Sequence, residues 1–272
     1  MEMLAADPSN AIRALEENFW SLWSRFGQSD GCHLHDEPDA LWYETPIPTL
    51  PYNAVIRFSA NQGIDRSMDR IFERFRDRNV PFIWVAHPSA KPSDLESRLR
   101  SRGFEEAEVV DGMWIDLSQL PARAEGPAGI EIRQVTSSSD VDALLDLVTW
   151  RWNVPADAKR ALRTISGAFE FGISGSAVRS WVAWRGETPV AKALLNVAAG
   201  SAGLYAVATK PDARGLGLAR TLAIRAFAAA RREGYRLGIL HATPMARSLY
   251  SKLGFRTIAP FRIFAPPKSF HM

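Results

Sequence analysis

The sequence Arg214-Gly215-Leu216-Gly217-Leu218-Ala219 decides the fold of this chain, because it joins an apolar strand to a long helical pattern. The strand is predicted over residues 204–209, and the helical pattern ends near Gly234. The start of a helix leaves backbone N–H groups without partners and carries partial positive charge. Glycines in such a turn let an anion approach the backbone closely, so this loop predicts a phosphate site.

A second motif follows the helix. Residues 235–243 predict a buried strand, and residues 244–253 predict a helix that carries Tyr250 and ends at Gly254-Phe255. Before the loop, strands are predicted over residues 129–134, 178–184 and 189–197, and helices over 140–152 and 156–171. Strands and helices mixed in this order predict an α/β sheet with helices on both faces.

The two motifs and their spacing resemble the GCN5-related N-acetyltransferase (GNAT) superfamily over roughly residues 128–266. In that family a loop of the pattern R/Q-x-x-G-x-G/A binds the pyrophosphate of coenzyme A, and Arg214, Gly217 and Ala219 match its positions. The family commonly carries a tyrosine four residues before a Gly-Phe pair, as Tyr250 stands before Gly254-Phe255. The resemblance implies an N-acyltransferase that moves an acetyl group from acetyl-coenzyme A (acetyl-CoA), or another acyl-CoA, to a primary amine by direct attack in a ternary complex.

The resemblance also implies where the reacting groups are held. The strand over residues 206–209 is expected to splay from the next strand, so that an N–H near Val207 or Ala208 polarises the thioester carbonyl. Tyr250 is expected to act as the general acid that protonates the CoA thiolate. The residues expected to bind the cofactor are Val207, Ala208, Thr209, Arg214, Gly215, Leu216, Gly217, Leu218 and Ala219.

The sequence identifies no clear general base. His241 lies at the end of a predicted strand, and an imidazole titrates in the useful range, although a structural histidine is the alternative. Glu170 and Asp212 are weaker candidates. The residues suggested for the acceptor pocket are Trp150, Trp152 and Tyr205, with core packing as the alternative for the tryptophans. No metal site is predicted.

Composition bounds the class of protein. The chain has 272 residues, of which 46% are apolar, a net charge of +3 and one cysteine, Cys32. These values predict a globular, cytoplasmic chain without an internal disulfide, and no apolar run is long enough to span a bilayer. Arginines and acidic residues alternate over residues 65–78, which predicts a solvated helical face with i,i+4 ion pairs rather than a nucleic-acid surface.

A proline-containing linker at residues 121–127 separates two similar halves, residues 1–120 and 128–272. Strands are predicted over residues 40–44, 53–58 and 81–86 of the first half, and a helix ending in Gly-Phe occurs in both, with two short strands after it. The first half lacks the arginine and second glycine of the loop, and Leu99 stands in place of the tyrosine. We therefore expect an α/β fold of two GNAT-like domains, each a mixed central sheet flanked by helices, of which the first is degenerate and the second binds acetyl-CoA.

Two other functions stay open from the sequence. The first is an aminoacyl-tRNA-dependent acyl transferase. The basic helix near Arg74 favours this function, but a tRNA donor would not require the pyrophosphate loop. A non-catalytic acyl-CoA-binding module would not need an acid at Tyr250. The acceptor is expected to be a small-molecule or peptide amine, with no membrane partner and nucleic acid not favoured. The chain is expected to be a monomer or a homodimer, and the duplication makes a monomer plausible.

Overall fold

The computed structural model describes residues 3–267. The strands of this part of the chain are β1 His33–Asp36, β2 Ala40–Glu44, β3 Ala54–Phe58, β4 Ile83–Ala86, β5 Glu105–Asp116, β6 Ile130–Gln134, β7 Val178–Arg185, β8 Thr188–Ala198, β9 Ser201–Thr209, β10 Leu237–Ala242 and β11 Arg256–Ala265. The α-helices are α1 Pro8–Trp23, α2 Ile64–Asp77, α3 Leu95–Ser101, α4 Ser138–Trp152, α5 Lys159–Ser166, α6 Leu218–Arg232 and α7 Pro244–Lys252.

The chain forms two compact units. The described part of the first unit comprises residues 3–22, 111–151 and 169–259, and that of the second comprises residues 23–110, 152–168 and 260–267. Each unit combines a mixed sheet with helices, which confirms the predicted α/β class. No helix within residues 3–267 is both long and apolar enough to cross a bilayer.

In the first unit the strands are ordered β6-β7-β8-β9-β10-β5. The first four pair antiparallel in sequence, β9 and β10 pair in parallel, and β10 pairs antiparallel with residues 111–116 of β5. The helix α6 connects β9 to β10, because a parallel pair requires a crossover between its strands. This crossover begins with the short loop that joins the end of β9 to the start of α6.

In the second unit the order is β1-β2-β3-β4-β11. Its strands follow the same plan: an antiparallel run, a parallel pair formed by β3 and β4, and an antiparallel last strand, residues 262–264 of β11. The shared plan agrees with the predicted duplication of one kind of domain. The strand β1 carries little apolar periodicity and was not among the predicted strands.

The last strand of each unit comes from the other half of the sequence. Residues 111–116 of β5 follow the helix α3 along the chain but pair with β10, whereas residues 262–264 of β11 follow α7 but pair with β4. The prediction of two short strands after each Gly-Phe was wrong, because each segment is one long strand. Glycine and proline are common in turns, and β5 contains Gly112 while β11 contains Pro260. Gly112 nevertheless does not interrupt β5, because it pairs with His241 of β10.

The division of the chain at residues 121–127 stays a prediction, since the compact units are defined by packing and draw residues from both sides of it. The linker itself is irregular and is held by α6, where Arg225 Nε donates to the Ala124 carbonyl at 3.3 Å. The predicted helix over residues 156–171 is shorter than expected: α5 lies between two 3₁₀ turns.

The arginines of α2 pair differently from the prediction. Arg70 pairs with Glu37, and both Arg74 and Arg78 pair with the buried carboxylate of Glu44. These partners lie outside the helix, so cross-element pairs replace most of the expected i,i+4 pairs. A short-range pattern of alternating charge cannot reveal them, because the partners are distant in sequence.

The helix α1 is fixed to the first unit by Asn18, which is fully buried. Its amide nitrogen lies 3.2 Å from the carbonyl oxygens of Asn196, Ala198 and Ser201, at the β8–β9 hairpin. A Cβ at Gly203 would clash with Asn18 Oδ1, so a larger residue at this strand position would displace the asparagine side chain. Asn18 therefore holds α1 against one face of the sheet.

We expect Asn18→Ala to lower the free energy of unfolding by about 2–4 kcal/mol, because buried carbonyl groups lose their donor. Urea unfolding followed by circular dichroism measures the change. Asn61→Ala removes an exposed amide and is the matched control, with an expected change of less than about 0.5 kcal/mol. Equal effects of the two substitutions would contradict a structural role for the Asn18 network.

Candidate active site

The strands β9 and β10 diverge. Their parallel pairing runs from Ala202↔Gly238 to Leu204↔Leu240, whereas β9 continues to Thr209 and β10 to Ala242. Beyond Leu204 no β10 partner occurs for β9 within residues 3–267. Residues 206–209 of β9 therefore have no strand partner on this edge among residues 3–267.

A β-bulge lies where the strands part. Ala206 and Val207 stand opposite Ala193 alone, since the register of β9 against β8 passes from Tyr205↔Leu194 to Ala208↔Lys192. Ala206 has a φ of 51°, a left-handed conformation that is uncommon for a residue with a Cβ. Its side chain is exposed, whereas Tyr205 and Ala208 are buried. Bulges turn a strand away from a neighbour, which explains the divergence.

A buried lysine that sequence reasoning missed contacts this bulge. Lys192 on β8 is 2% exposed, and its Nζ donates to the Ala206 carbonyl oxygen at 2.7 Å. Burial and the nearby positive charge of Arg151 lower the pKa of Lys192 to about 7. The available signal was a single lysine within the apolar run of residues 190–195.

The predicted phosphate loop follows β9. After a 3₁₀ turn at Pro211–Ala213, Gly215 and Gly217 have φ values of 78° and 75°, and a Cβ at either position would meet nothing within 4 Å. Gly217 immediately precedes α6, and no side chain caps the helix start. The first turn of α6 also contains no acidic residue. This is an open cradle of backbone N–H groups at the positive end of a helix dipole.

Charged side chains surround the loop. Arg214 is exposed, and its Nε lies 3.4 Å from the Thr209 carbonyl oxygen. Asp212, which sequence reasoning considered as a weak base, forms an ion pair with Arg185 at 3.1 Å. This pair compensates the negative charge of Asp212. The residues present therefore fit a pyrophosphate group: N–H donors without a partner among residues 3–267, an arginine, and a compensated carboxylate.

Tyr250 projects from α7 into the core beneath α6. It is 5% exposed and its ring meets that of Phe255 edge-on at 5.9 Å. Burial raises the pKa of Tyr250, so the phenol keeps its proton at neutral pH. Within residues 3–267 its hydroxyl has no hydrogen-bond partner, which leaves this group able to donate to a bound molecule.

His241 and Tyr205 lie together on the opposite face of the sheet, against α1. The His241 ring is 5.3 Å from Phe19 and 5.9 Å from Tyr205, and the Tyr205 hydroxyl donates to Asn18 Oδ1 at 3.0 Å. Burial lowers the pKa of His241 to about 3, so its imidazole is neutral at physiological pH. The useful titration range that the sequence suggested for this residue does not hold in the folded chain.

The tryptophans have different surroundings. Trp150 packs against the small core cluster of Val135, Leu144, Leu147 and Val182, which is the core packing that the sequence left as an alternative. Trp152 is the last residue of α4, is half-buried and belongs to the second unit. Glu170, the other weak base candidate, is exposed and lies 3.5 Å from Ser176 Oγ.

Part of the chain matches a known family, and the fold matches solved structures. Residues 176–257, which contain β7 to β10, the phosphate loop and Tyr250, match the model of the acetyltransferase (GNAT) domain. A GCN5-related N-acetyltransferase from Kribbella flavida is 17% identical, with a TM-score of 0.67 over 94% of this chain and 95% of that chain. One from Sphaerobacter thermophilus is 18% identical, with a TM-score of 0.60 over 96% and 93%.

A tandem GNAT protein from the clavulanic acid biosynthesis pathway matches the whole length of the chain. It is 13% identical, with a TM-score of 0.60 over 100% of this chain and 98% of that chain. Among curated proteins none matches the sequence. The chain has the fold of the GNAT superfamily, as its sequence predicted, and residues 176–257 match the acetyltransferase domain model of that superfamily.

We expect Lys192→Met to change how stability depends on pH. The lysine has a pKa of about 7 when folded and about 10.4 when unfolded, so the unfolded chain binds the extra proton between these values. The free energy of unfolding of the wild type therefore rises with pH in this window. The variant lacks this contribution, so its stability relative to the wild type should fall by about 2–3 kcal/mol between about pH 6 and pH 9.

Urea unfolding at several pH values measures this difference. Lys252→Met, which removes an exposed lysine on α7, is the control and should leave the pH dependence unchanged. Parallel pH profiles for the wild type and Lys192→Met would contradict the low pKa of Lys192.

Proposed function

We propose that this protein is an N-acetyltransferase that moves the acetyl group of acetyl-CoA to a primary amine by direct attack in a ternary complex. The observation that carries the proposal is the open, positively polarised loop at the start of α6, directly beyond the bulge where β9 leaves β10. The N–H groups of this loop suit a pyrophosphate, and the strand edge that has left β10 suits amide groups. The two together suit a ligand with a pyrophosphate at one end and amide groups along its arm.

The residues proposed to hold the cofactor act mostly through their backbones. Gly215 and Gly217 allow close approach to the pyrophosphate, and Arg214 adds a cation. Val207, Ala208 and Thr209 offer backbone groups to the pantetheine arm, as a strand would. Bound acetyl-CoA would supply an activated acyl group as a thioester. The remaining members of the predicted set are Leu216, Leu218 and Ala219, with Leu218 buried as the anchor of the loop.

The proposed chemistry needs a donor at the carbonyl oxygen and an acid at the sulfur. An N–H of Val207 or Ala208 would stabilise the negative charge that develops on the carbonyl oxygen. The Tyr250 hydroxyl would give its proton to the departing thiolate, and its raised pKa keeps that proton in place beforehand. In this proposal His241 is not the base at neutral pH, because its pKa is about 3.

The proposed acceptor is an amine of a small molecule or a peptide. Tyr205 lies on the face of the sheet that α1 covers, which makes it a candidate wall of the acceptor site. Trp150 and Trp152 remain proposed contacts, although Trp150 also packs in a core cluster. Acyl transfer from aminoacyl-tRNA gains no support, because Arg70, Arg74 and Arg78 are engaged with carboxylates.

We expect Gly217→Glu to abolish acetyl-CoA binding. The substitution places a side chain at a φ of 75° and a carboxylate where the pyrophosphate would sit. The measurement is the rise in melting temperature caused by acetyl-CoA, which a ligand of the folded state must produce. Arg214→Ala should weaken the same rise in melting temperature. This variant leaves both glycines of the loop in place.

Gly175→Glu is the matched control, since Gly175 has a φ of 79°, is exposed and has equally open surroundings outside the loop. The control should keep the wild-type response to acetyl-CoA. An undiminished response in Gly217→Glu and Arg214→Ala would refute the cofactor site. No response in the wild type to acetyl-CoA or to longer acyl-CoA donors would refute the proposed function.

We expect Tyr250→Phe to lower kcat by about 100-fold while leaving acetyl-CoA binding intact, since only the proton donor is removed. Release of free thiol from acetyl-CoA, followed with a panel of primary amines, measures the rate. Tyr235→Phe removes another tyrosine hydroxyl of the first unit and serves as the control. An unchanged kcat in Tyr250→Phe would exclude this residue as the acid.

A further inference from the structure

Lys192 has no part in the function proposed so far, although it is the most deeply buried lysine of the site. Its Nζ carries three N–H donors when charged, but within residues 3–267 its one hydrogen-bond acceptor is the Ala206 carbonyl oxygen. No carboxylate of the described chain lies within ion-pair distance of it. A buried cation with a single neutral acceptor is costly, so it calls for an explanation beyond packing.

The acceptor of this hydrogen bond is the bulge residue. Ala206 adopts its left-handed conformation one residue before Val207, at the point where β9 has left β10. Such a conformation persists in a non-glycine residue only where neighbouring groups hold it. The bond from Lys192 on β8 holds the carbonyl group of this residue in a fixed direction.

The carbonyl group of Ala206 and the N–H of Val207 belong to one peptide unit. This unit is trans, since the cis bonds of the described chain precede Pro51 and Pro92. In a trans peptide the C=O and N–H bonds point in opposite directions, so the Val207 N–H points away from Lys192. A cation bonded to the carbonyl oxygen polarises the whole unit and makes that N–H a stronger donor.

We propose that the charged form of Lys192 is a positioning residue for acyl transfer, which fixes the bulge peptide and strengthens the Val207 N–H toward the carbonyl oxygen of the bound thioester. This inference rests on the proposed function, because it requires acetyl-CoA along β9. Lys192 acts through the peptide unit of Ala206 and Val207. It contacts neither the donor nor the acceptor of the acetyl group.

The proposal predicts a dependence on pH. Because the pKa of Lys192 is lowered by burial and by Arg151 of α4 to about 7, the charged form is present below neutral pH and is lost above it. The polarisation of the thioester carbonyl should decline in the same direction. A lysine that served as the general base would show the opposite sign, with activity rising as it loses its proton.

Tyr205 and His241, the aromatic neighbours on this face, keep their charge state in this window. Alternation along β8 and β9 puts Lys192 and Tyr205 on the face that α1 covers, and burial raises the pKa of Tyr205 well above neutrality. His241 of β10 is neutral above about pH 3. The other charged groups of the helices on this face are Asp140, Asp142 and Asp146 of α4 and Arg13, Glu16 and Glu17 of α1, of which Glu16 is buried.

The test is difference infrared spectroscopy of acetyl-CoA labelled with carbon-13 at the thioester carbonyl, bound to the full-length protein. A stronger hydrogen bond lowers the stretching frequency of this carbonyl. We expect the bound band of the wild type to lie at lower frequency at about pH 6 than at about pH 8. In Lys192→Met the band should lie at the higher frequency at both pH values, while Lys159→Met, an exposed control, should match the wild type.

Each outcome decides the proposal. The comparison of the wild type at two pH values needs no variant, so a misfolded Lys192→Met does not remove the test. A bound band that is independent of pH and identical in the wild type and the variant overturns the inference and leaves the proposed function standing. A band that moves to lower frequency with rising pH also overturns it. Failure of the wild type to bind labelled acetyl-CoA, measured by calorimetry, removes the proposed function and the inference together.

Discussion

The geometry of β9 at Ala206 is the constraint on which the site depends. The strand must stay paired with β8 on one edge and leave β10 on the other, and one extra residue with a positive φ achieves both. The departure opens the backbone of the last strand residues, and the chain then enters the loop before α6. The donor groups of the strand and those of the helix start therefore belong to one continuous segment of about a dozen residues.

The two faces of this sheet have different chemistry. On one face, α6 and α7 form the larger core cluster of the first unit, and the buried Tyr250 belongs to it. On the other face, which α1 covers, Lys192, Asn196 and Tyr205 are buried and His241 is half-buried. Burying polar groups against an apolar sheet costs free energy unless they form hydrogen bonds. Most of these groups form hydrogen bonds with each other or with a backbone carbonyl group. The proposed acid and the proposed positioning residue therefore lie on opposite faces of the same sheet.

The sequence predicted the local parts of this arrangement well. Glycine spacing located the loop, and apolar runs located β9, β10 and α7, because these signals are contained in a few consecutive residues. Lys192 escaped notice since a lysine in a strand is usually exposed, and only the fold shows that it is buried. The sequence suggested a useful pKa for His241 because the pKa of a free imidazole lies near neutrality. The burial that lowers this pKa is visible only in the folded chain. The pairing of β5 with β10 leaves no local signal, as the partners are more than a hundred residues apart.

The origin of β5 and β11 has a consequence for how such a chain can evolve. The first unit takes a strand and the helix α1 from the N-terminal half, and the second takes a strand from the C-terminal half. Neither half of the sequence supplies the last strand of its own unit, so each half alone would leave one edge of β10 or of β4 unpaired. Deleting the half without a phosphate loop would therefore damage the half that has one. Selection on one site is therefore enough to preserve both halves of the sequence.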